Sequence, residues 1–410
     1  MITFQLNTVY EFIFTGLTVN NTLYYIKLFV LYGTKPDLIV SYNCPSNLPI
    51  EIINSKEIVY KLDSETFTSF ALTEYGCTFV DENETLLLLL ENENVNADKF
   101  IIEISINNEL LFKGSLDIIS VIFNKADKTL ECNFKPQSYI LNTTDTVVDG
   151  VINYEVLNIN PNSMPIKLTD FINKIYQIIN KDININLITD FNFISVNYNY
   201  FPAVVTNTNI NEIYIDERMF GSYNGANFIL NNVNNFGEMI KRLAFTLGCF
   251  TGFTSLNQVI FMPFLSNNKP VNVVNNSMVI SYIIQGTKDV VSCLKILPSG
   301  IYSGNNTNIP GKYIANEIFN VFLQNTQYGY VRVGKFGFNN QIYELDNAVL
   351  KYWENYFMSK KYCFEHVFEL VGINYKPYED LLIFDKKFTP TELAININKF
   401  TTTVKAVCTG

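Results

Sequence analysis

The sequence predicts a β-rich α+β protein in which barrel-like or sandwich β domains flank a small α+β middle domain. Short apolar or alternating runs, separated by Asn, Asp, Gly and Pro, fill residues 8–140 and return after residue 286. Two segments with helical periodicity lie between residues 165 and 285, and a third follows at 346–361. With 410 residues, 48% apolar and 17% charged, the chain is long enough for several packed cores.

Residues 1–145 are predicted to form an N-terminal β barrel or sandwich. The clearest hairpin places its turn at residues 124–127, and Leu130, Cys132 and Phe134 alternate on the returning strand. Gly114, within the outgoing strand, indicates a bulge or a bend of the kind that curved sheets need. The other expected strands are 23–31, 38–42, 57–62, 85–90 and 100–106.

Residues 146–285 are predicted to form the α+β middle domain. A polar, Asn-rich segment at 143–165 indicates a linker and so a domain boundary. A first helix is expected after Thr169, which is a suitable N-cap. The stretch 235–264 changes from helical to strand periodicity: a helix ends at Gly248, and a hairpin follows with its turn at 255–258. This stretch is predicted to be a packing unit without chemistry of its own.

Residues 286–410 are predicted to form a C-terminal β domain with one helix. The helix at 346–361 places Trp353 and Phe357 on an apolar stripe, so both are expected in a core. The expected strands are 290–297, 331–338, 363–371, 381–384 and 393–407.

Composition excludes several classes of protein. The net charge of −10 disfavours a nucleic-acid-binding surface spread over the chain, because such a surface needs clustered Lys and Arg. No apolar run approaches the roughly 18 residues of a membrane span, and the N-terminus lacks the positive region of a secretory signal. Seven scattered cysteines without a C-x-x-C pair predict free thiols and synthesis in a reducing cytoplasm.

No catalytic, cofactor-binding or metal-ligating set is assigned. His366 is the only histidine, and strand alternation places it on one face with Phe364 and Phe368 while Cys363 points the other way. A structural histidine is therefore favoured over a catalytic base or a Cys–His pair. The glycines form neither a P-loop nor a dinucleotide fingerprint, and no calcium loop is present, so no cofactor is expected.

Paired carboxylates are the remaining catalytic candidates. A glycosidase needs two carboxyl groups about 5 to 10 Å apart across a cleft. Acidic residues in turns are usually solvated, so the sequence favours a protein that is not an enzyme. The candidate pairs are Asp216–Glu217, Glu379–Asp380 and the cluster Asp81, Glu82 and Glu84.

Three stretches together resemble the tail-hub or baseplate-hub proteins of tailed bacteriophages. They are the hairpin around residues 111–114, the helix and hairpin at 236–263, and the helix at 346–361 followed by the run 378–384. The resemblance implies a virion structural protein, made in the host cytoplasm, that forms part of a ring around the DNA channel of the tail. Its partners would be copies of itself and neighbouring tail proteins, without specific nucleic-acid binding. The enrichment in Asn, Ile, Lys, Phe and Tyr suits a phage of an AT-rich host, such as one infecting Bacteroides.

Two other functions stay open from the sequence. A carbohydrate-binding adhesin would use exposed aromatic platforms, for which Tyr198, Tyr200, Tyr214 and Tyr223 are candidates. A glycan-processing tail protein would use one of the carboxylate pairs.

Overall fold

The fold is that of a computed structural model of the 410-residue chain. With their side chains, the structure describes residues 4–62, 74–96, 99–136, 269–286 and 364–410; elsewhere it describes the backbone of isolated strands. The β-rich class predicted from the sequence is confirmed.

The elements of the first 152 residues are β1 (Thr8–Leu17), β2 (Leu23–Tyr32), β3 (Leu38–Cys44), β4 (Ile50–Ser55), β5 (Ile58–Leu62), β6 (Ser69–Leu72), β7 (Tyr75–Asp81), helix α1 (Thr85–Leu90), β8 (Phe100–Ile106), β9 (Glu109–Leu116), the 3₁₀ turn Ile118–Ser120, β10 (Ile122–Asn124), β11 (Thr129–Pro136), β12 (Val147–Val148) and β13 (Val151–Ile152).

The elements that follow, up to residue 333, are β14 (Ile166–Lys167), β15 (Ile213–Ile215), β16 (Gly221–Asn224), β17 (Asn227–Leu230), β18 (Cys249–Phe253), β19 (Val259–Pro263), β20 (Val271–Val273), the 3₁₀ turn Asn276–Met278, β21 (Val279–Gly286), β22 (Val291–Leu297), β23 (Ile301–Ser303), β24 (Lys312–Glu317), β25 (Val321–Asn325) and β26 (Gly329–Val333). The last described elements are β27 (Phe364–Val371), β28 (Asp380–Ile383), β29 (Lys386–Asn396) and β30 (Thr401–Cys408).

The first sheet is a nearly closed barrel. Among the described strands its order is β3-β1-β2-β8-β9-β11-β7-β4, with β10 paired to β11. The end strands β3 and β4 are consecutive in the chain and joined by residues 45–49, so the sheet curls until its two ends come next to each other. Residues buried at alternate positions of six of these strands fill the barrel, and the strands are β1, β2, β7, β8, β9 and β11. The largest side chains with no exposed surface in this core are Phe12, Tyr75, Phe79, Phe100, Phe112 and Phe134.

The hairpin expected between residues 110 and 136 is confirmed. Leu130, Cys132 and Phe134 are all buried on the inward face of β11. Gly114, however, pairs in regular register with Ile102, and the irregularity lies earlier, where Leu111 is the extra residue opposite Ile104 and Ser105. Gly114 is needed for another reason: a Cβ there would lie 2.6 Å from the carbonyl oxygen of Lys135 on β11.

The strand expected at residues 85–90 is wrong, because these residues form helix α1. The backbone N–H groups of Thr85 and Leu86 donate to the Asp81 carboxylate at 2.8 and 2.7 Å, and that of Leu87 lies 3.4 Å from it. Leu86 and Leu89, three residues apart, are buried on one helical face. Leucine favours a helix, and a carboxylate at the helix start provides acceptors for N–H groups that lack a partner within the helix.

The second sheet draws strands from distant parts of the chain. Among the described strands its order is β19-β18-β6-β5-β29-β30-β27-β21, and β28 pairs with both β29 and β20. The sheet therefore includes strands from each of the three segments 1–145, 146–285 and 286–410, the domains expected from the sequence. Those boundaries stay a prediction. Its buried core includes Phe368, Leu370, Leu381, Phe388 and Val404.

The two sheets meet at a polar junction. Asn398, in the turn between β29 and β30, accepts at its backbone oxygen from the N–H of Val19 at 3.1 Å and at Oδ1 from the hydroxyl of Tyr24 at 2.9 Å. Lys376 forms an ion pair with Glu109 at 2.5 Å.

The hairpin expected in the middle domain is confirmed, because β18 pairs antiparallel with β19 from Cys249–Pro263 to Phe253–Val259. The three helices expected after Thr169, before Gly248 and at 346–361, together with Trp353 and Phe357, lie outside the described residues.

Candidate interaction surface

The edge strand β21 exposes apolar side chains on both of its faces. Its sequence is VISYIIQG, and every residue after Val279 is exposed. The exposed fractions of Ile280, Ile283 and Ile284 are 53%, 58% and 54%. Among the described strands, β21 pairs on one side only, with β27. A long apolar edge with free backbone hydrogen-bonding groups is a template for another strand.

The surface continues onto neighbouring elements, and we call the whole set the β21 surface. Further exposed apolar side chains on β20, the 3₁₀ turn, the start of β27 and the β28–β29 turn are Val271, Val273, Met278, Phe364 and Phe384. Large apolar patches on a protein surface mark sites of contact with other molecules.

An aromatic stack joins β21 to its neighbour β27. Tyr282 lies directly opposite Phe368 in the antiparallel register, and their rings stack at 4.6 Å with an interplanar angle of 3°. The ring of His366 lies 5.9 Å from that of Tyr282 and is nearly parallel to it, and Phe388 packs against both His366 and Phe368. These contacts fix the orientation of the edge strand although its own side chains are exposed.

His366, the one histidine of the sequence, takes part in this stack. The hydroxyl of Tyr282 lies 2.7 Å from its Nδ1 atom. Burial, and then the charge of Lys386, lower the pKa of His366 below its ordinary value, so the neutral ring is favoured. Cys363 lies outside the described residues, so the expectation that it points away from His366 stays a prediction.

Two carboxylates that were catalytic candidates from the sequence are bound to other groups of the protein. Asp81 binds the start of α1, as described above, and Glu84 forms an ion pair with Lys128. Asp216 and Glu217 lie outside the described residues.

The third pair, Glu379–Asp380, lies at a buried charge cluster. Asp380 begins β28, and its Oδ1 atom lies 2.5 Å from the Nζ atom of Lys269. Its Oδ2 atom lies 2.9 Å from the Nζ atom of Lys387, and the hydroxyl of Thr389 donates to Oδ1 at 2.8 Å. Burial, acting against the attraction of Asp380, lowers the pKa of Lys269 to about 8. Glu379 is half-buried, and burial raises its pKa.

A cleft opens where the first barrel does not close. Its volume is about 240 Å³, and its lining includes Phe14, Tyr24, Cys44, Pro45 and Glu51, together with Asn398 from the second sheet. In the part of the chain with described side chains, no group of three or more His, Cys, Asp or Glu residues could hold a metal ion. Within the same residues, no helix is long and apolar enough to cross a membrane.

Comparison with known proteins gives structural likeness only. No family model matches the chain, and no curated protein matches it. A tail protein from Neisseria meningitidis MC58 is similar over 88% of this chain and 95% of its own, with 9% identity and a TM-score of 0.47. The 43 kDa tail protein of prophage MuSo2 from Shewanella oneidensis is similar over 87% of this chain and 96% of its own, with 8% identity and a TM-score of 0.45. The prophage tail protein gp18 from Listeria monocytogenes EGD-e is similar over 86% of this chain and 87% of its own, with 7% identity and a TM-score of 0.41. All three are described as tail proteins.

Sequence reasoning did not find two features of this region. The apolar run of β21 was visible in the sequence, but its position at a sheet edge depends on pairing with β27, which begins only at Phe364. The partners Lys269 and Asp380 lie 111 residues apart and carry no local motif. A lysine followed by Pro270 before an alternating run was the only sequence signal.

Proposed function

We propose that the chain is a non-enzymatic structural protein of a phage tail, part of the tail hub or baseplate ring around the DNA channel. The observation that carries the proposal is the exposed apolar edge of β21. In the assembled tail, a neighbouring subunit covers it. Synthesis takes place in the host cytoplasm, and assembly moves the chain into the virion.

The first barrel supplies a second edge for the same contact. Strand β3 is an end of that sheet, and its Leu38 and Ile39 side chains are 48% and 65% exposed. If β21 of one copy meets β3 of the next, the contact joins two different surfaces, and repetition closes into a ring when the rotation fits. Backbone hydrogen bonds between the two edges then continue the sheet from one copy to the next.

The charge of the chain is compatible with a channel for DNA. At a net charge of −10, the chain has no general attraction for phosphate. A ring wall that lets DNA slide needs this property, because clustered Lys and Arg would hold the phosphates.

The experiment is sedimentation velocity of the purified chain and of two single-edge variants. Ile283→Lys places a charge on β21, and Ile39→Lys places one on β3. Burying the exposed part of one isoleucine is worth about 1 kcal/mol. An unpaired ammonium in the contact costs more than that, so each variant should weaken association at least tenfold. Ile119→Lys is the matched control, because Ile119 is 91% exposed on a 3₁₀ turn that is not a sheet edge.

The chain and the Ile119→Lys control should form rings, while each edge variant alone should be a monomer. An equimolar mixture of the two edge variants should give dimers and no rings, because the pair retains one intact contact. Rings in all variants, or a chain that is monomeric at every concentration, would contradict the proposal. A monomer that also binds a glycan would favour the adhesin function instead.

A further inference from the structure

The charge cluster at β28 differs from the surface ion pairs in its exclusion from water. The side chains of Lys269 and Asp380 are 0% and 1% exposed, while those of the surface pair Lys27–Glu11 are 36% and 13% exposed. Removing both charges from water is costly, and the attraction between them offsets only part of that cost. Any reaction that removes both charges is therefore favoured at this site more than at the surface.

The two groups are a nucleophile and an electrophile held in contact. The Nζ atom of Lys269 lies 2.5 Å from Oδ1 of Asp380, so the amine is next to the carboxyl carbon. The backbone fixes this position, because Val271 of β20 is the register partner of Asp380 and the N–H of Asp380 donates to the carbonyl oxygen of Pro270 at 2.8 Å. Groups held together in this way react with effective concentrations far above those in solution.

The charged groups around Asp380 favour the attack of a lysine amine on its carboxyl group. The Nζ atom of Lys387 lies 2.9 Å from Oδ2, the oxygen that would carry negative charge during attack. A cation beside that oxygen stabilises the charge as it develops. The lowered pKa of Lys269 increases the fraction of neutral, nucleophilic amine near neutral pH.

We propose that Lys269 and Asp380 condense to form an isopeptide bond, which joins the segment leading into β20 to the start of β28. A proton first passes from the Lys269 ammonium to the carboxylate, which leaves a neutral amine beside a carboxylic acid. The amine attacks the carboxyl carbon and forms the C–N bond. The C–Oδ1 bond breaks, and Oδ1 leaves as water with the proton of the carboxylic acid and one proton of the attacking nitrogen, so one proton stays on the amide nitrogen. The oxygen that remains becomes the amide oxygen and accepts from Lys387.

This step needs no other reactant. An ammonium and a carboxylate become an amide and one water, so atoms and net charge balance. No electrons are transferred. The product is a neutral, hydrogen-bonded amide in a site that is closed to water, which favours condensation and opposes hydrolysis. The bond links two neighbouring parallel strands beside the β21 surface.

The test is the intact mass of the full chain, purified in its folded state and then denatured. The chain should be lighter than its sequence mass by about 18 Da, the mass of one water. Proteolysis should give one branched peptide that contains both Lys269 and Asp380. A folded chain with the full sequence mass would overturn the proposal.

Three variants identify the bond. Lys269→Met and Asp380→Ala should have their full sequence masses, whereas Asp380→Asn should lose ammonia instead of water, a deficit of about 17 Da. Lys27→Met, which removes a surface lysine from its ion pair, should keep the water deficit. A water deficit that persists in Lys269→Met would place the bond elsewhere and overturn the assignment. None of these outcomes depends on ring formation.

Discussion

Replacing Asp81 by alanine tests why residues 85–90 form a helix. The carboxylate accepts two hydrogen bonds of 2.7 and 2.8 Å from backbone N–H groups at the start of α1, and the third N–H, at 3.4 Å, contributes little. Hydrogen bonds to a charged acceptor are worth about 1.5 to 3 kcal/mol each. Burial raises the pKa of Asp81, so desolvation of the carboxylate offsets part of this energy. We expect a net loss of about 2 to 4 kcal/mol.

The measurement is native-state hydrogen exchange at the amides of Thr85 and Leu86, with urea unfolding of the whole chain. Asp81→Ala should lower the free energy of opening at both amides, and Asp81→Asn, which keeps one acceptor oxygen, should lose about half as much. Glu82→Ala is the control, because Glu82 is exposed next to Asp81 in the same turn. Equal protection in Asp81→Ala and Glu82→Ala would show that the Asp81 carboxylate does not stabilise the start of α1.

Three further predictions concern single side chains. Gly114→Ala should cost about 1 to 3 kcal/mol in urea unfolding, because its Cβ would meet a carbonyl oxygen at 2.6 Å, whereas Gly286→Ala, with nothing within 4 Å, should be neutral. The lowered pKa of His366 means that the folded chain resists protonation, so stability should fall as pH drops below the ordinary value of 6.5, and His366→Gln should remove that dependence; an unchanged pH profile in His366→Gln would contradict this. Burial raises the pKa of Cys132 to about 12, so the native chain should alkylate at the partly exposed Cys408 and not at Cys132; modification of both at equal rates would show that the barrel core is open.

Local patterns predicted strands well where the side-chain period alone decides the structure. The strand at 100–106 was predicted with its observed bounds, and the alternation of Leu130, Cys132 and Phe134 identified the inward face of β11. In these strands one face meets the barrel core, and the sequence carries that constraint residue by residue.

Predictions failed where a contact outside the segment decided the structure. By its apolar pattern alone, the run of leucines in α1 predicts a buried strand. The helix forms because the carboxylate of Asp81, four residues before Thr85, accepts hydrogen bonds at the helix start. Pairing of β5 with β29 joins Ile58 to Ile395 across most of the chain, and no local period predicts such a partner. The same limit applies to the proposed site, because the exposure of β21 and the contact of Lys269 with Asp380 both follow from long-range pairing.

The most direct test of the proposed function is electron microscopy of assembled phage particles in which an affinity tag on this chain is marked with gold. The tag is placed at Gly410, which is exposed and lies outside β21. We expect gold particles in a symmetric ring at the tail, and loss of tails or of the label when Ile283→Lys replaces the wild-type chain. Label that is absent from the tail, or intact labelled tails with Ile283→Lys, would contradict it.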